Sequence, residues 1–464
     1  PRSTPLYSSA ASDVYKRQLL GNVPFSAIIE NPASILGLAR ASSAGLFFLI
    51  ALLAGYFIFK RFAPSRWGMR LTVVWGGILT LVVAGAIGLL FTPGSSIQEK
   101  YIEQSSAARI IVWEVSANAI SDRPFFGWGP ENFNYALERH FDPRLFLNEN
   151  LGEIWFERAH NVFVDTLVGS GVVGVLSFSL LTFLYFTVVY RARRQGHIGD
   201  TEAVLLCALV PVHVLQMQTG FDTIGSYTLL AVAGGYVLWL ERTMSTTVPR
   251  RGQSELFKKV GAGVLVAGVL ISGALVLAEY NRQTMLVLVF QAKTIEEQHV
   301  RLDASLARVS SFESLRLSSG SFIKGSLATI AEKSTPERTS RILEVTHLYE
   351  TYYERYLEVQ PHHYRARMNY AYLLLIMTTL GENRIEDAKQ VITDSYVLSP
   401  GNPLTYILDA LAELYRGNLV ESDRLMAEAL AINPDIEFTQ EAAAYFKRQK
   451  DIFPNLTVLR LTNL

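Results

Sequence analysis

Residues 158–190 read RAHNVFVDTLVGSGVVGVLSFSLLTFLYFTVVY, and this stretch decides the fold. Positions 163–190 carry one charged residue, Asp165, and a helix of that length exceeds the roughly 30 Å of hydrocarbon in a bilayer. Arginines follow directly at its end. The stretch therefore predicts a membrane-spanning helix that begins beside His160 and Asn161, where water meets lipid.

The composition of the whole chain fits a membrane protein with a soluble portion. Half of the 464 residues are hydrophobic and the mean hydropathy is positive, which is too apolar for an ordinary soluble protein. Basic residues number 42 and acidic residues 42, so the net charge gives no reason to expect a nucleic-acid partner. The single cysteine, Cys207, cannot form an intramolecular disulfide.

Six apolar segments are predicted to span the membrane, and their basic flanks predict the topology. Clusters of lysine and arginine follow the first, third and fifth spans, and the positive-inside rule assigns these loops to the cytoplasm. The loop 91–159 and everything after the sixth span are therefore predicted on the exoplasmic face. The predicted spans are 44–59, 71–91, 163–190, 203–217, 223–240 and 260–278.

The C-terminal region carries a repeat signal. Pro400 and Pro434 end two similar helical stretches, and their offset of 34 residues is the tetratricopeptide period. A degenerate third repeat is predicted over 335–361, and the alternative is a generic helical bundle. Equivalent positions hold an aromatic residue (Tyr372, Tyr406) and a small residue between helices (Ala388, Ser422), with Gly417 before the second helix of its repeat.

These patterns together predict an all-α chain, a polytopic membrane protein followed by a soluble helical-repeat domain. The expected domains are a membrane domain at 19–280 and an exoplasmic domain at 281–464, with repeats at about 335–436. Residues 1–18 are polar and serine-rich, match no signal peptide and are predicted to be a non-native leader. Further membrane helices upstream are expected to be missing.

Arginines are the predicted ligands for phosphate. The sequence holds no P-loop, no zinc motif, no G-x-S-x-G elbow and no Asp-x-Asp pair that would hold a metal-bound diphosphate. Arg109, in the stretch ARIIVWEVSANAI, and Arg40, before the first span, are the candidates. A guanidinium stays charged and binds phosphate oxygens through two parallel hydrogen bonds. Interfacial arginines that reach toward lipid headgroups are the alternative.

His160 is the predicted general base. A neutral imidazole near pH 7 can accept a proton from a hydroxyl group, and this one begins a spanning helix. An interfacial histidine satisfied by a neighbour is the alternative. Upstream, Asp122 and Glu131 lie within the stretch DRPFFGWGPENF, where turn and capping roles are predicted for both.

These residues as a set resemble the O-antigen ligase and polymerase-like family of bacterial membrane glycosyltransferases, which includes protein O-oligosaccharyltransferases. The family has a serine and an arginine before the outer end of a membrane helix. Arg40 corresponds to that arginine, and Ala39 stands in place of the serine. The family's histidine motif is matched by His160, Asn161, Gly171 and Gly174, and the approach to it by Arg109, Trp113, Pro124, Gly127, Gly129 and Phe133.

The resemblance implies a transferase on the outer face of the bacterial inner membrane. The donor would be a glycan on undecaprenyl pyrophosphate, and the acceptor a hydroxyl of lipid A, another glycan or a protein. His160 would deprotonate that hydroxyl, with inversion at the anomeric carbon and without a metal or other cofactor. The residues implied to bind the pyrophosphate or line the loop are Arg40, Arg109, Trp113, Asn161, Glu131 and Asn132.

Other functions stay open on the sequence. A polysaccharide polymerase of the same family shares the donor chemistry and differs in its acceptor. A non-catalytic membrane scaffold would use the repeats to bind a protein partner, because concave helical repeats bind peptides. A lipid or solute carrier would place ionisable residues near the middle of the bilayer, where these spans have almost none.

Overall fold

A computed structural model describes residues 40–63, 65–90, 92–99, 108–147, 154–218, 220, 224–244, 255–289, scattered positions between 297 and 320, and 335–452. The predicted leader at 1–18 and the predicted start of the membrane domain at 19 lie outside these ranges. Every regular element in the described ranges is helical, which confirms the all-α prediction.

The α-helices of the described ranges follow one another along the chain from Arg40 to Ile452. A 3₁₀ turn, Pro143–Phe146, lies between the fourth and fifth helices. The α-helices are α1 (Arg40–Phe62), α2 (Ser65–Leu90), α3 (Ala108–Asp122), α4 (Phe133–Arg139), α5 (Val162–Arg194), α6 (Asp200–Gln216), α7 (Ile224–Met244), α8 (Glu255–Val289), α9 (Pro336–Val359), α10 (Tyr364–Thr379), α11 (Ile385–Thr393), α12 (Pro403–Arg416), α13 (Leu419–Ile432) and α14 (Glu437–Ile452).

Three of the described helices are long and apolar enough to cross a membrane. They are Gly45–Phe62 in α1, Trp67–Leu89 in α2 and Val162–Arg194, which is α5. The other predicted spans lie on α6, α7 and α8, and α8 contains the shorter apolar stretch Val266–Ala278. A total of six spans therefore stays a prediction.

Contacts among the helices divide the chain into two compact units, and the first contains α1, α2, α6 and α7 with residues 160–163 and the last part of α5. Here α1 packs against α2 and α6 through Phe48, Leu52 and Ala208. The Trp75 indole donates to the Ala51 carbonyl at 3.0 Å, directly beside Gly55, where a side chain would overlap the ring. Small residues thus let these helices approach closely.

The end of α5 packs with α6 and α7 around a second buried cluster that includes Val189, Ala192 and Leu240. Just beyond it, Arg191 pairs with Glu241 at 3.0 Å, and Arg193 pairs with Asp200 at 2.7 Å. Charged side chains thus mark the end of the apolar stretch of α5.

The second unit contains residues 99–159, residues 164–177 of α5 and the chain from 246 onward. Within it, the loop before α5 packs directly on the C-terminal helices. The ring of Phe146 stacks on Phe438 with 5.6 Å between centroids, and the Ser399 hydroxyl donates to the Glu138 carboxylate at 2.8 Å. This unit therefore joins segments on both sides of residue 280, while the predicted domains describe membrane topology and stay a prediction.

The C-terminal helices pack as consecutive pairs, α10 with α11 and α12 with α13. Ala388 and Ser422 are fully buried, and the Ser422 hydroxyl donates to the Ala410 carbonyl of the neighbouring helix at 2.8 Å. Gly417 ends α12 with φ 84°. The stretch predicted as a third repeat forms the single helix α9. The tetratricopeptide assignment itself stays a prediction.

Candidate active site

The site is built on a break in α5. At Gly171 the backbone leaves the helical conformation, with φ 62° and ψ −164°. Such a break frees backbone N–H and C=O groups, and these must find other partners if they are shielded from water. A segment of the preceding loop, residues 124–129, supplies the partners.

Four backbone hydrogen bonds join this segment to α5. The N–H groups of Trp128 and Gly129 donate to the carbonyls of Val168 and Gly169, at 2.7 Å and 3.0 Å. In return, the N–H groups of Val172 and Val173 donate to the carbonyls of Pro124 and Phe125, at 2.8 Å and 3.1 Å. The segment therefore fills the break, and we call it the inserted segment.

Glycines make this approach possible. A Cβ atom on Gly127 (φ 68°) would lie 2.5 Å from the Val168 carbonyl oxygen, and one on Gly171 would overlap the Phe125 carbonyl. A Cβ on Gly129 (φ 99°) would lie 2.8 Å from the Asn132 side-chain nitrogen. On Gly174 it would overlap the Ser170 side chain. All four predicted motif glycines thus lie where a larger residue would collide or be strained.

His160 has an unusual backbone conformation, with φ 54°. Among the described residues other than glycine, positive φ occurs at His160 and Glu131 alone. A side-chain-bearing residue held there costs roughly 1–3 kcal/mol, so the surrounding structure must enforce it. Such strain concentrates at functional sites.

The residue before His160 is fixed from two sides within the second unit. The Trp113 indole donates to the Ala159 carbonyl at 2.7 Å, and the Ala159 N–H donates to the Asp165 carboxylate at 2.6 Å. Arg109 precedes Trp113 by one helical turn on α3 and is half-buried, so the two side chains share a helix face. That face is the one that meets Ala159.

The residues after His160 are fixed within the first unit. Asn161 is buried, its side-chain oxygen accepts from the Phe163 N–H at 3.0 Å, and its side-chain nitrogen donates to the Gln218 side chain at 3.2 Å. The Val162 N–H donates to the Met217 carbonyl at 2.9 Å. Asn161 therefore positions the start of α5.

Glu131 and Asn132 shape the turn after the inserted segment. The backbone of Glu131 has φ 63°, and its carboxylate accepts two hydrogen bonds from Arg158, at 2.6 Å and 2.7 Å. Asn132 donates to the Trp128 carbonyl at 3.0 Å. These contacts give both residues a structural part, and their predicted role in substrate binding stays a prediction.

Two predicted features lack a described geometry. Arg40 begins α1, and its side chain lies outside the described residues. The joint action of His160 with Arg109 and Arg40 stays a prediction. In the described part of the chain, no three His, Cys, Asp or Glu side chains are grouped so that they could hold a metal ion.

Sequence reasoning did not assign roles to Asp165, Gln218 and Arg158. Asp165 had a visible signal, because it is the lone charge in the apolar stretch 163–190 and lies in the first turn of α5. Gln218 and Arg158 had none, since their partners Asn161 and Glu131 lie 57 and 27 residues away in the sequence.

The comparisons with known proteins point to one family. Residues 33–179 match the model of a family described as "O-Antigen ligase", a range that contains α3, the inserted segment and His160. The chain is also 23% identical over 274 residues to the "General O-oligosaccharyltransferase" of Acinetobacter baylyi, covering 56% of this chain and 43% of that protein. No solved structure matches.

A second relative gives the same direction. The "Putative polysaccharide ligase" of Rickettsia felis is 27% identical over 174 residues, which cover 36% of this chain and 38% of that protein. The chain spans less than half the length of these two curated relatives. Together with the apolar helices, the similarity indicates an integral membrane protein related to glycan-transferring ligases.

Proposed function

We propose that this chain is a membrane glycosyltransferase that moves a glycan from undecaprenyl pyrophosphate to an acceptor hydroxyl on the outer face of the bacterial inner membrane. The observation that carries the proposal is His160, a histidine in a strained backbone conformation beside anchored neighbours at the head of an apolar helix. The family match over residues 33–179 supports it, because that range holds the same histidine.

His160 acts as the general base. The acceptor oxygen attacks the anomeric carbon, the bond from that carbon to the pyrophosphate oxygen breaks, and the hydroxyl proton passes to the imidazole. Attack opposite to the leaving group inverts the anomeric configuration. A positioned base of this kind contributes roughly 10²–10⁴-fold to a rate. The strained backbone of His160 supports this role, because backbone strain concentrates at functional sites.

Arg109 and Arg40 stabilise the leaving group. Negative charge grows on the pyrophosphate as the bond breaks, and a guanidinium held nearby stabilises that charge more in the transition state than in the ground state. Arg109 and Trp113 lie on the same face of α3, and the Trp113 indole donates to the carbonyl of Ala159, the residue before His160. This contact supports the role of Arg109. Lipid pyrophosphate is already an activated leaving group, so the reaction needs no cofactor.

The acceptor is a hydroxyl of lipid A, of a glycan or of a protein. A polymerase that extends a polysaccharide is the second candidate, because it uses the same donor and the same base. The packing of Phe146 and Glu138 on the C-terminal helices supports a part for the repeats in presenting the acceptor or a protein partner.

The test uses purified protein in lipid nanodiscs with an undecaprenyl-pyrophosphate-linked oligosaccharide, chelator and each acceptor class in turn. We expect release of undecaprenyl pyrophosphate, and a product with inverted anomeric configuration, with one class of acceptor. That acceptor separates ligase from polymerase. If the donor binds but undecaprenyl pyrophosphate is released with none of the acceptors, the result would contradict the proposal and favour the scaffold or the carrier.

A further inference from the structure

The tip of the inserted segment presents two large apolar side chains without cover. Phe125 and Phe126 are 68% and 76% exposed. Next to them on α5 lie Val172 and Val173, each 42% exposed, whose N–H groups donate to the inserted segment. The phenyl rings thus extend the apolar surface of a helix that is long and apolar enough to cross a membrane.

The length of α5 gives the depth of this patch. Arg191 is the first charged residue after the apolar stretch, and Gly171 lies 20 residues before it. At 1.5 Å per residue these positions are about 30 Å apart, the thickness of the hydrocarbon core. If Arg191 marks one boundary of the hydrocarbon, the break at Gly171 marks the other, and residues 163–170 of the predicted span lie on the aqueous side of it.

Irregular backbone is tolerated at that depth only where its polar groups are paired. The four hydrogen bonds between residues 124–129 and α5 meet this condition for the inserted segment. The Trp128 indole also donates to the Ala119 carbonyl on α3, at 2.8 Å. The segment is therefore fixed both to the membrane helix and to the helix that carries Arg109.

We propose that Phe125 and Phe126 insert into the acyl chains of the bilayer at this boundary and anchor the loop between α2 and α5 to the lipid surface. Their partner is the lipid itself, because the patch continues the apolar face of α5. The anchor sets the distance of α3 from the membrane, and with it the height of Arg109. This inference rests on helix length, exposure and backbone pairing, and it holds whether or not the chain transfers glycans.

The test places a fluorescent label at the tip. In a Cys207→Ala background, which removes the single cysteine, Phe126→Cys is labelled with bimane in nanodiscs. Quenching by phospholipids with a doxyl group on carbon 5 is compared with quenching by aqueous iodide. Phe125→Cys is a second variant in case the first does not fold. The matched control is Val420→Cys on α13, an apolar residue that is 82% exposed.

We expect doxyl lipid to reduce the emission of labelled Phe126→Cys or Phe125→Cys at least twofold, with little effect of iodide. Labelled Val420→Cys should show the reverse pattern. Iodide quenching at the tip equal to that of the control, without doxyl quenching, would overturn the proposal.

Discussion

The carbonyl of Phe125 occupies the space where a β-carbon on residue 171 would have to lie. Gly171→Ala is therefore expected to expel the inserted segment, since alanine would both collide with that carbonyl and be strained at φ 62°. We expect a loss of roughly 2–4 kcal/mol of stability, from strain and from the displaced hydrogen bonds. Thermal unfolding in detergent measures it.

Gly77→Ala is the matched control for this substitution. Gly77 lies in the apolar helix α2, and outside the backbone of its own helix no atom lies within 4 Å of its added Cβ. Alanine favours a helix over glycine, so this variant should be as stable as the wild type or slightly more stable. Equal melting temperatures for Gly171→Ala and Gly77→Ala would contradict the account of the break.

The sequence singled out the glycines of this region but did not show what they contact. The spacing of Gly171 and Gly174 after His160 was readable, as was the glycine-rich loop. The hydrogen bonds between residues 124–129 and α5 were not, because pairing between segments some 45 residues apart leaves no local pattern. Likewise, the positive φ of His160 and the hydrogen bond from Trp113 to the neighbouring Ala159 carbonyl leave no signal in a single sequence.

The helix α4 packs against the C-terminal helices through the buried carboxyl group of Glu138. Burial raises the pKa of Glu138 from its ordinary 4.5 to about 7, and the Ser399 hydrogen bond and the charge of Arg365 only partly offset this. The folded chain therefore holds the proton more tightly than the unfolded chain. The free energy of unfolding falls as pH rises from about 4.5 to about 7, and the penalty is constant above that range.

Glu138→Gln should remove this penalty, because a neutral amide has no charge to desolvate and can still accept from Ser399. We expect the variant to gain up to about 3 kcal/mol over wild type at pH 8, and far less at pH 5. Thermal unfolding at both values of pH measures the difference. Glu157→Gln, at an exposed glutamate nearby, is the control. A gain for Glu138→Gln that is the same at both pH values would contradict the mechanism.

Helices were predictable from hydropathy and period, whereas their docking was not. The apolar stretches of α1, α2 and α5 can be recognised from their length and composition. The burial of Glu138 against Ser399 does not, since glutamate is usually an exposed residue. Nor did the sequence link Phe146 to Phe438, residues that lie in different predicted domains.

At the scale of the whole molecule, the loop before α5 and the C-terminal helices share one compact unit. Deleting residues 285–464 would remove Ser399 and Phe438 and expose the buried faces of Glu138 and Phe146. We expect transfer to fall on the order of tenfold or more, because small displacements of a positioned group cost much of the rate.

The deletion is measured by transfer rate together with tryptic cleavage after Arg139 and Arg144, which should become faster. Phe438→Ala is a gentler companion that should change both readouts in the same direction to a smaller extent. If the truncated chain transfers at the wild-type rate and its loop still resists trypsin, the C-terminal helices do not support the site.

Transfer by His160→Ala is compared with transfer by wild type in nanodiscs, by release of undecaprenyl pyrophosphate in chelator with the productive acceptor. His140→Ala is the matched control, a histidine of the same loop paired with Asp122 at 2.8 Å. We expect His160→Ala to lose at least about 100-fold in rate while it still binds donor, and His140→Ala to stay near wild type. Wild-type release by folded His160→Ala would contradict the assignment of His160 as the base.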